Sequence, residues 1–139
     1  MSREKLIEGL NEDLAAELGT VARYLHQASM CVGLQGEHLR DVFKAEVSDE
    51  LGHAEYLMDV IASLGGEPTT EPQQFEKTDD MRRMLEINIE MEAADVENYK
   101  QHAELAAELG MIDVQLQLED MAADEAGHRR EMERILKGM

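Results

Sequence analysis

The chain has 139 residues, enough for one sizeable core, with 43% hydrophobic and 32% charged residues and a formal charge of −18. That charge, with no basic tail, excludes a nucleic-acid partner, because phosphate recognition rewards Lys and Arg. No stretch has the length of a membrane span or the apolar core of a signal peptide, so no membrane association is expected.

The single cysteine, Cys31, excludes an internal disulfide framework, fits a reducing cytoplasm and reads as a small core residue. Apolar periodicity predicts four helices. The first runs from about Arg3 to Cys31, with Ser2 as its N-cap, and stops at the "GLQG" turn of Gly33–Gly36. A second covers about Glu37 to Leu64 and ends at Gly65-Gly66. The segment "EPTTEPQQFEK" holds both prolines, Pro68 and Pro72, and reads as a long connection. A third helix starts at "TDD", with Thr78 as the cap, and reaches about Gly110; a fourth fills roughly Ile112 to Lys137.

Helices of this size are about 40 Å long, and a four-helix bundle is the natural all-α solution. Residues 65–77 span up to about 43 Å when extended, so they are expected to cross the bundle and make helices two and three parallel. The whole of 1–139 reads as one domain: a hairpin of about 3–64, the crossover 65–77, and a second hairpin of about 78–137.

Sliding the chain against itself by 75 residues places Glu17 on Glu92, Val21 on Val96, Tyr24 on Tyr99 and "DELGH" (49–53) on "DEAGH" (124–128). Two copies of one hairpin are therefore predicted. Folded at their turns, they bring Glu17 level with Glu50, and Glu92 level with Glu125, roughly 25 Å from each turn. Glu50 and His53 share a helix face, as do Glu125 and His128. A lone E-x-x-H match is noise, but two in one repeated frame with matched Glu and Tyr partners are not. Four ionised carboxylates inside a bundle would cost several kcal/mol each if uncompensated. Two divalent cations neutralise them, and imidazole with carboxylate and no thiolate suits iron or manganese.

At this point the chain resembles the ferritin-like superfamily, and bacterioferritins most closely. "LNEDLAAELGTVARYLHQASM" is similar to their first helix, "SDELGHAEYL" to their second-helix ligand motif and "ADEAGHRREM" to the fourth. The resemblance implies a ferroxidase centre of two iron ions per chain. One would be held by Glu17, Glu50 and His53 with Glu125 bridging, the other by Glu92, Glu125 and His128 with Glu50 bridging. It also implies Asp49 and Asp124 as acceptors that steady the histidines, and Tyr24 and Tyr99 as donors to the terminal glutamates. Glu46 matches an inner-surface iron position, although a solvated acid is the stronger reading there.

Three departures from the bacterioferritin pattern carry expectations. Leu51 stands where the haem-ligating methionine would be, so no haem is predicted, and Met30 and Met58 read as core. Only 11 residues follow His128, too few for the fifth helix of twenty-four-subunit cages. A twelve-subunit mini-cage is favoured, with a dimer or a 24-mer as alternatives. Asp95 sits three residues after Glu92, where rubrerythrins carry an extra carboxylate.

The expected activity is oxidation of Fe(II) with O2 or H2O2, for iron storage and detoxification in a homo-oligomeric shell. The alternatives are a rubrerythrin-like di-iron peroxidase without storage, and a helical module with a redox-silent metal. His26, His38 and His102 fall outside the ligand set; Gln27 and His102 are equivalent positions of the repeat.

Overall fold

The structure, a computed structural model, describes residues 2–139, and the side chain of Ser2, with its expected capping role, lies outside what is described. Four helices follow in order: α1 Ser2–Met30, α2 Gly33–Ser63, α3 Met81–Glu108 and α4 Ile112–Lys137. No strand occurs among the described residues. None of the helices is long and apolar enough to cross a membrane.

The hairpin pairs α1–α2 and α3–α4 pack along their lengths, and α1–α3 joins the two hairpins. Both hairpin partners run antiparallel, and so do α1 and α3: Tyr24 meets Glu92, Tyr99 meets Glu17 and His102 meets Asp13. Helices α2 and α3 are therefore parallel, which requires the crossover.

That crossover, residues 64–80, is strapped along α1. The Arg3 side chain reaches the Leu64 carbonyl at the start (3.3 Å). Asn11 then donates to the Glu67 carbonyl (3.1 Å) and accepts from the Thr69 amide (2.8 Å). The Gln73 amide bonds to the Ala15 carbonyl at 2.8 Å. Gly19 makes this approach feasible, since a Cβ there would lie 2.4 Å from the Gln73 carbonyl oxygen. Phe75 meets His26 edge-on (6.0 Å between centroids), and the strap ends near the far end of α1.

Helices α2 and α3 both end in a Schellman motif, with Gly65 (φ +89°) and Gly110 (φ +72°) supplying the left-handed residue. The Gly66 amide returns to the Ile61 carbonyl, and the Met111 amide to that of Ala106, each at 2.9 Å.

Three local expectations need correction. "GLQG" is not a turn: the chain reverses at Cys31–Gly33, where Gly33 takes φ +81°, and α2 begins at once. Gly36 is in the helix because its bare Cα lets α2 close on Cys31; a Cβ would lie 3.0 Å from the Cys31 carbonyl carbon. Thr78 does not cap α3: it accepts from the Asp80 amide, and Asp80 is the cap, accepting from the Arg82 (3.0 Å) and Arg83 (3.4 Å) amides. Met30 is not core but 39% exposed, because it lies in the last turn of α1, where the chain leaves the bundle. Met58 is partly buried against the core.

The apolar core comes in two blocks. One gathers Leu6, Leu10, Leu14, Leu57, Ile61, Leu118 and Met121 at one end of the bundle. The other gathers Leu39, Phe43, Met84, Leu85, Met132 and Cys31. Between them lies a polar layer in which Glu17, Glu50, Glu92 and Glu125 are all fully buried. Burial of four carboxylates between two oily blocks is the feature that needs explaining.

Candidate metal centre

Each helix contributes one glutamate to this layer, and the E-x-x-H spacing adds one histidine each from α2 and α4. Single ligating atoms from Glu17, Glu50, His53 and Glu125 all lie within 4.8 Å of one another, and so do atoms from Glu50, Glu92, Glu125 and His128. Glu50 and Glu125 belong to both groups. His53 turns Nδ1 inward, 3.3 Å from Glu125 and 3.5 Å from Glu17; His128 Nδ1 lies 3.1 Å from Glu50.

The outer ring nitrogens are held crosswise. His53 Nε2 meets Asp124 at 3.0 Å, and His128 Nε2 meets Asp49 at 3.3 Å. Each "DExGH" segment thus steadies the histidine of the other. Tyr24 donates to Glu92 Oε1, and Tyr99 to Glu17 Oε1. Burial first, and then the facing glutamate, push both phenols well above their ordinary pKa, so they stay protonated donors.

What remains inside is a set of atoms without hydrogen bonds: both oxygens of Glu50 and Glu125, Oε2 of Glu17 and Glu92, and Nδ1 of both histidines. Orphaned buried acceptors are costly, and their convergence is uncommon. Burial first, then neighbouring carboxylates, raise Glu50 and Glu125 well above the usual carboxylate range. Burial pushes Glu17 up, but Glu50, His53 and Tyr99 together hold it below its ordinary value. Burial disfavours charge on His128, yet Glu46 and Glu50 outweigh it and lift the pKa to about 11. His53 is raised too, with Glu17 and Asp124 overcoming burial.

The remaining expected residues sort as follows. Asp95 is buried (7% exposed) with Oδ2 unpartnered, but it is in neither ligand group. Glu46 is not simply a solvated acid: it is largely buried, and its Oε2 lies 2.6 Å from His128 Nε2. With Asp49 it forms a third acidic group around that ring. Leu51 is 52% exposed on α2. His38 is exposed, and His102 is buried against Asp13 at 2.5 Å.

Sequence reasoning missed Arg23, the largest fully buried side chain, whose Nε donates to Asn88 Oδ1 at 2.9 Å. Asn88 in turn donates to Gln27 Oε1 at 2.8 Å. The 75-residue offset relates the Gln27–Asn88 pair to His102–Asp13, but it places Asn98 at the position of Arg23 and so gives no signal for the arginine itself.

The Ferritin-like domain family matches residues 7–139. The chain belongs to the ferritin family. Within it, the chain is bacterioferritin-like: it is 30% identical over 134 residues to bacterioferritin of Desulfovibrio desulfuricans, covering 96% of this chain and 75% of that protein. A crystal structure of a ferritin-like, diiron-carboxylate protein from Bacillus anthracis superposes with a TM-score of 0.95 at 42% identity, covering 98% of each chain. The Desulfovibrio bacterioferritin structure, described for its diiron site in different catalytic states, gives a TM-score of 0.89 at 29% identity, covering 98% of this chain and 80% of that one. A Mycobacterium tuberculosis bacterioferritin gives 0.89 at 26% identity, over 97% of this chain and 86% of that one. The ferritin-like bundle and its crossover are thus shared along almost the whole chain.

Proposed function

We propose that this ferritin-like chain is a ferroxidase that binds two Fe(II) ions as substrate in the carboxylate layer and oxidises them for storage in a homo-oligomeric shell. The observation that carries this reading is the convergence of unpartnered ligand atoms from all four helices. Two divalent cations match four carboxylates in charge, and the O/N donor set without thiolate suits iron, with manganese as the alternative. Glu17, Glu50, His53 and Glu125 would hold one ion, and Glu92, Glu50, Glu125 and His128 the other, so that Glu50 and Glu125 bridge.

The chain's own residues supply position and proton traffic. Asp124 at His53, and Glu46 with Asp49 at His128, would accept from Nε2 and leave Nδ1 of each ring to ligate. Tyr99 and Tyr24 fix one oxygen of each terminal glutamate and leave the other for the ion. The two Fe(II) ions together release two electrons, which with two protons reduce O2 to H2O2, or H2O2 to two waters. The pair of Asp/Glu-held histidines and the bridging glutamates shed protons as the cations arrive. Shell formation, as a twelve-subunit cage or another closed assembly, and a cytoplasmic setting complete the proposal, with no haem at Leu51.

A second reading has one feature in its favour. Asp95, with one carboxylate oxygen unpartnered, lines a cleft of about 500 Å³ together with Glu12, Glu90 and Asn98. A peroxide-reducing enzyme without storage would use such an approach. Stopped-flow oxidation of Fe(II) with O2 and with H2O2, followed by electron microscopy of iron-loaded protein, separates the two. A mineral-filled shell supports storage. Rapid peroxide turnover by a protein that retains no mineral overturns it.

A further inference from the structure

Peroxide oxidises methionine, and the fold tolerates the change only where the new sulfoxide oxygen finds a donor. The chain has ten methionines. Met84, Met121 and Met132 are fully buried in the apolar blocks, where an oxygen added to sulfur would be an orphaned acceptor. Met91 is placed differently. It is partly exposed and lines the cleft of about 500 Å³ between α1, α3 and the strap, beside Glu12, Gln73 and Glu90. Its Sδ accepts from Arg23 Nη1 at 3.0 Å, although a thioether is a weak acceptor for a guanidinium. Nη2 of the same group has no hydrogen-bond partner and stands 3.8 Å from Glu92 Oε1. Arg23 is fully buried, and Asn88 accepts from its Nε at 2.9 Å, so the guanidinium is held against α3.

We propose that Met91 is a modification site for hydrogen peroxide, and that the Arg23 guanidinium holds its sulfoxide in place. The sulfur lone pair not engaged by Nη1 attacks one peroxide oxygen, and the S–O bond forms as the O–O bond breaks. The departing oxygen, which gains negative charge, has the unused Nη2 N–H as a donor. It takes up the proton left on the transferred oxygen and leaves as water. Sulfur loses two electrons and the peroxide gains them, so no other oxidant or reductant enters. The S=O oxygen is a stronger acceptor than the thioether, and the unbranched side chain has the rotational freedom to present it to the guanidinium. Oxidation at Met91 therefore satisfies a buried donor, whereas oxidation in either apolar block creates an orphan. Methionine sulfoxide reductases reverse the change, so the site can act repeatedly. Fe(II) oxidation with O2 would make peroxide nearby, since Glu92 is the next residue on α3. That source rests on the proposed function; the site itself does not.

The test treats the full, metal-free chain with limited H2O2, which keeps it independent of the iron chemistry. Peptide mass spectrometry should find sulfoxide at Met91 at least as early as at Met30, which is 39% exposed. Met84, Met121 and Met132 should stay unmodified, with the circular dichroism unchanged. Glutamine mimics the sulfoxide by offering an amide oxygen, and leucine offers no acceptor. M91Q should therefore melt at or above wild type, and M91L a few degrees below it. In an R23Q background the advantage of M91Q over M91L should vanish; if R23Q does not fold, the comparison of M91Q with M91L decides. Met91 left unmodified while Met30 is oxidised, M91L melting at or above M91Q, or an M91Q advantage that survives R23Q overturns the proposal. Sulfoxide at Met91 with added H2O2 but none during Fe(II) oxidation with O2 overturns the centre as the peroxide source and upholds the site.

Discussion

Replacing Glu50 and Glu125 together by glutamine is the sharpest perturbation of the centre. Both side chains are fully buried, none of their four oxygens makes a hydrogen bond, and burial raises both pKa values. Without metal these two groups strain the fold, because each must either hold a proton or leave a charge uncompensated. Glutamine is neutral and near-isosteric, and its amide can donate to the neighbouring glutamates. A gain of about 2 kcal/mol for the pair is a moderate figure against the usual cost of orphaned buried groups. At about 3 °C per kcal/mol for a chain of this size, the metal-free variant should melt about 6 °C above metal-free wild type.

Wild type should gain more from metal. Two sites, each at a hundred times its Kd, contribute about 5 kcal/mol, or about 15 °C. The assay is differential scanning calorimetry at fixed protein concentration, with and without Mn(II). The double variant should show the higher metal-free Tm and no metal-dependent rise. A variant that rises with metal as wild type does, or that melts well below metal-free wild type, would refute the reasoning.

Other consequences are equally accessible. Tyr24→Phe and Tyr99→Phe each leave a buried glutamate oxygen without its donor, which should lower metal-free stability by about 1–3 kcal/mol in chemical denaturation. Gly19→Ala should destabilise by a similar amount and expose residues 64–80 to protease, because its Cβ would collide with the Gln73 carbonyl; unchanged proteolysis would count against the strap. Raised pKa values at Glu50, Glu125, His53 and His128 mean that cations displace protons near neutrality. Apparent affinity should therefore increase with pH, and calorimetry in buffers of different ionisation enthalpy should register proton release. Burial lifts Asp13 to about 6 against His102, so its contribution to stability is fully present below about 4 and is lost as pH rises through 6. That is a loss of about 3 kcal/mol, which Asp13→Asn should remove.

The architecture was legible because its signals are periodic. Apolar spacing marked four helices, and the bounds of α4 agree with the structure at both ends. The length of the proline-bearing segment foretold the crossover, since a hairpin would need far fewer residues. The 75-residue repeat brought the four glutamates to one level, where the structure has them buried together. Local chemistry was less readable. A glycine in sequence does not say whether it serves a positive φ, as Gly33 does, or a close approach, as Gly36 does. Thr78 and Asp80 are both good caps, and the choice fell to the residue whose carboxylate reached two amides. Arg23 drew no expectation from the sequence. Only its three-dimensional neighbours, Asn88, Met91 and Glu92 on α3, give it a buried place.

The central claim is that the carboxylate layer holds two metal ions between Glu50 and Glu125. Crystals of the protein soaked anaerobically with Fe(II), with data collected at the iron absorption edge, test it most directly. The account predicts two anomalous peaks per chain roughly 3.5–4 Å apart, one bounded by Glu17 and His53, the other by Glu92 and His128. Anomalous density confined to Glu46 and Asp49, or none within the layer, would contradict it.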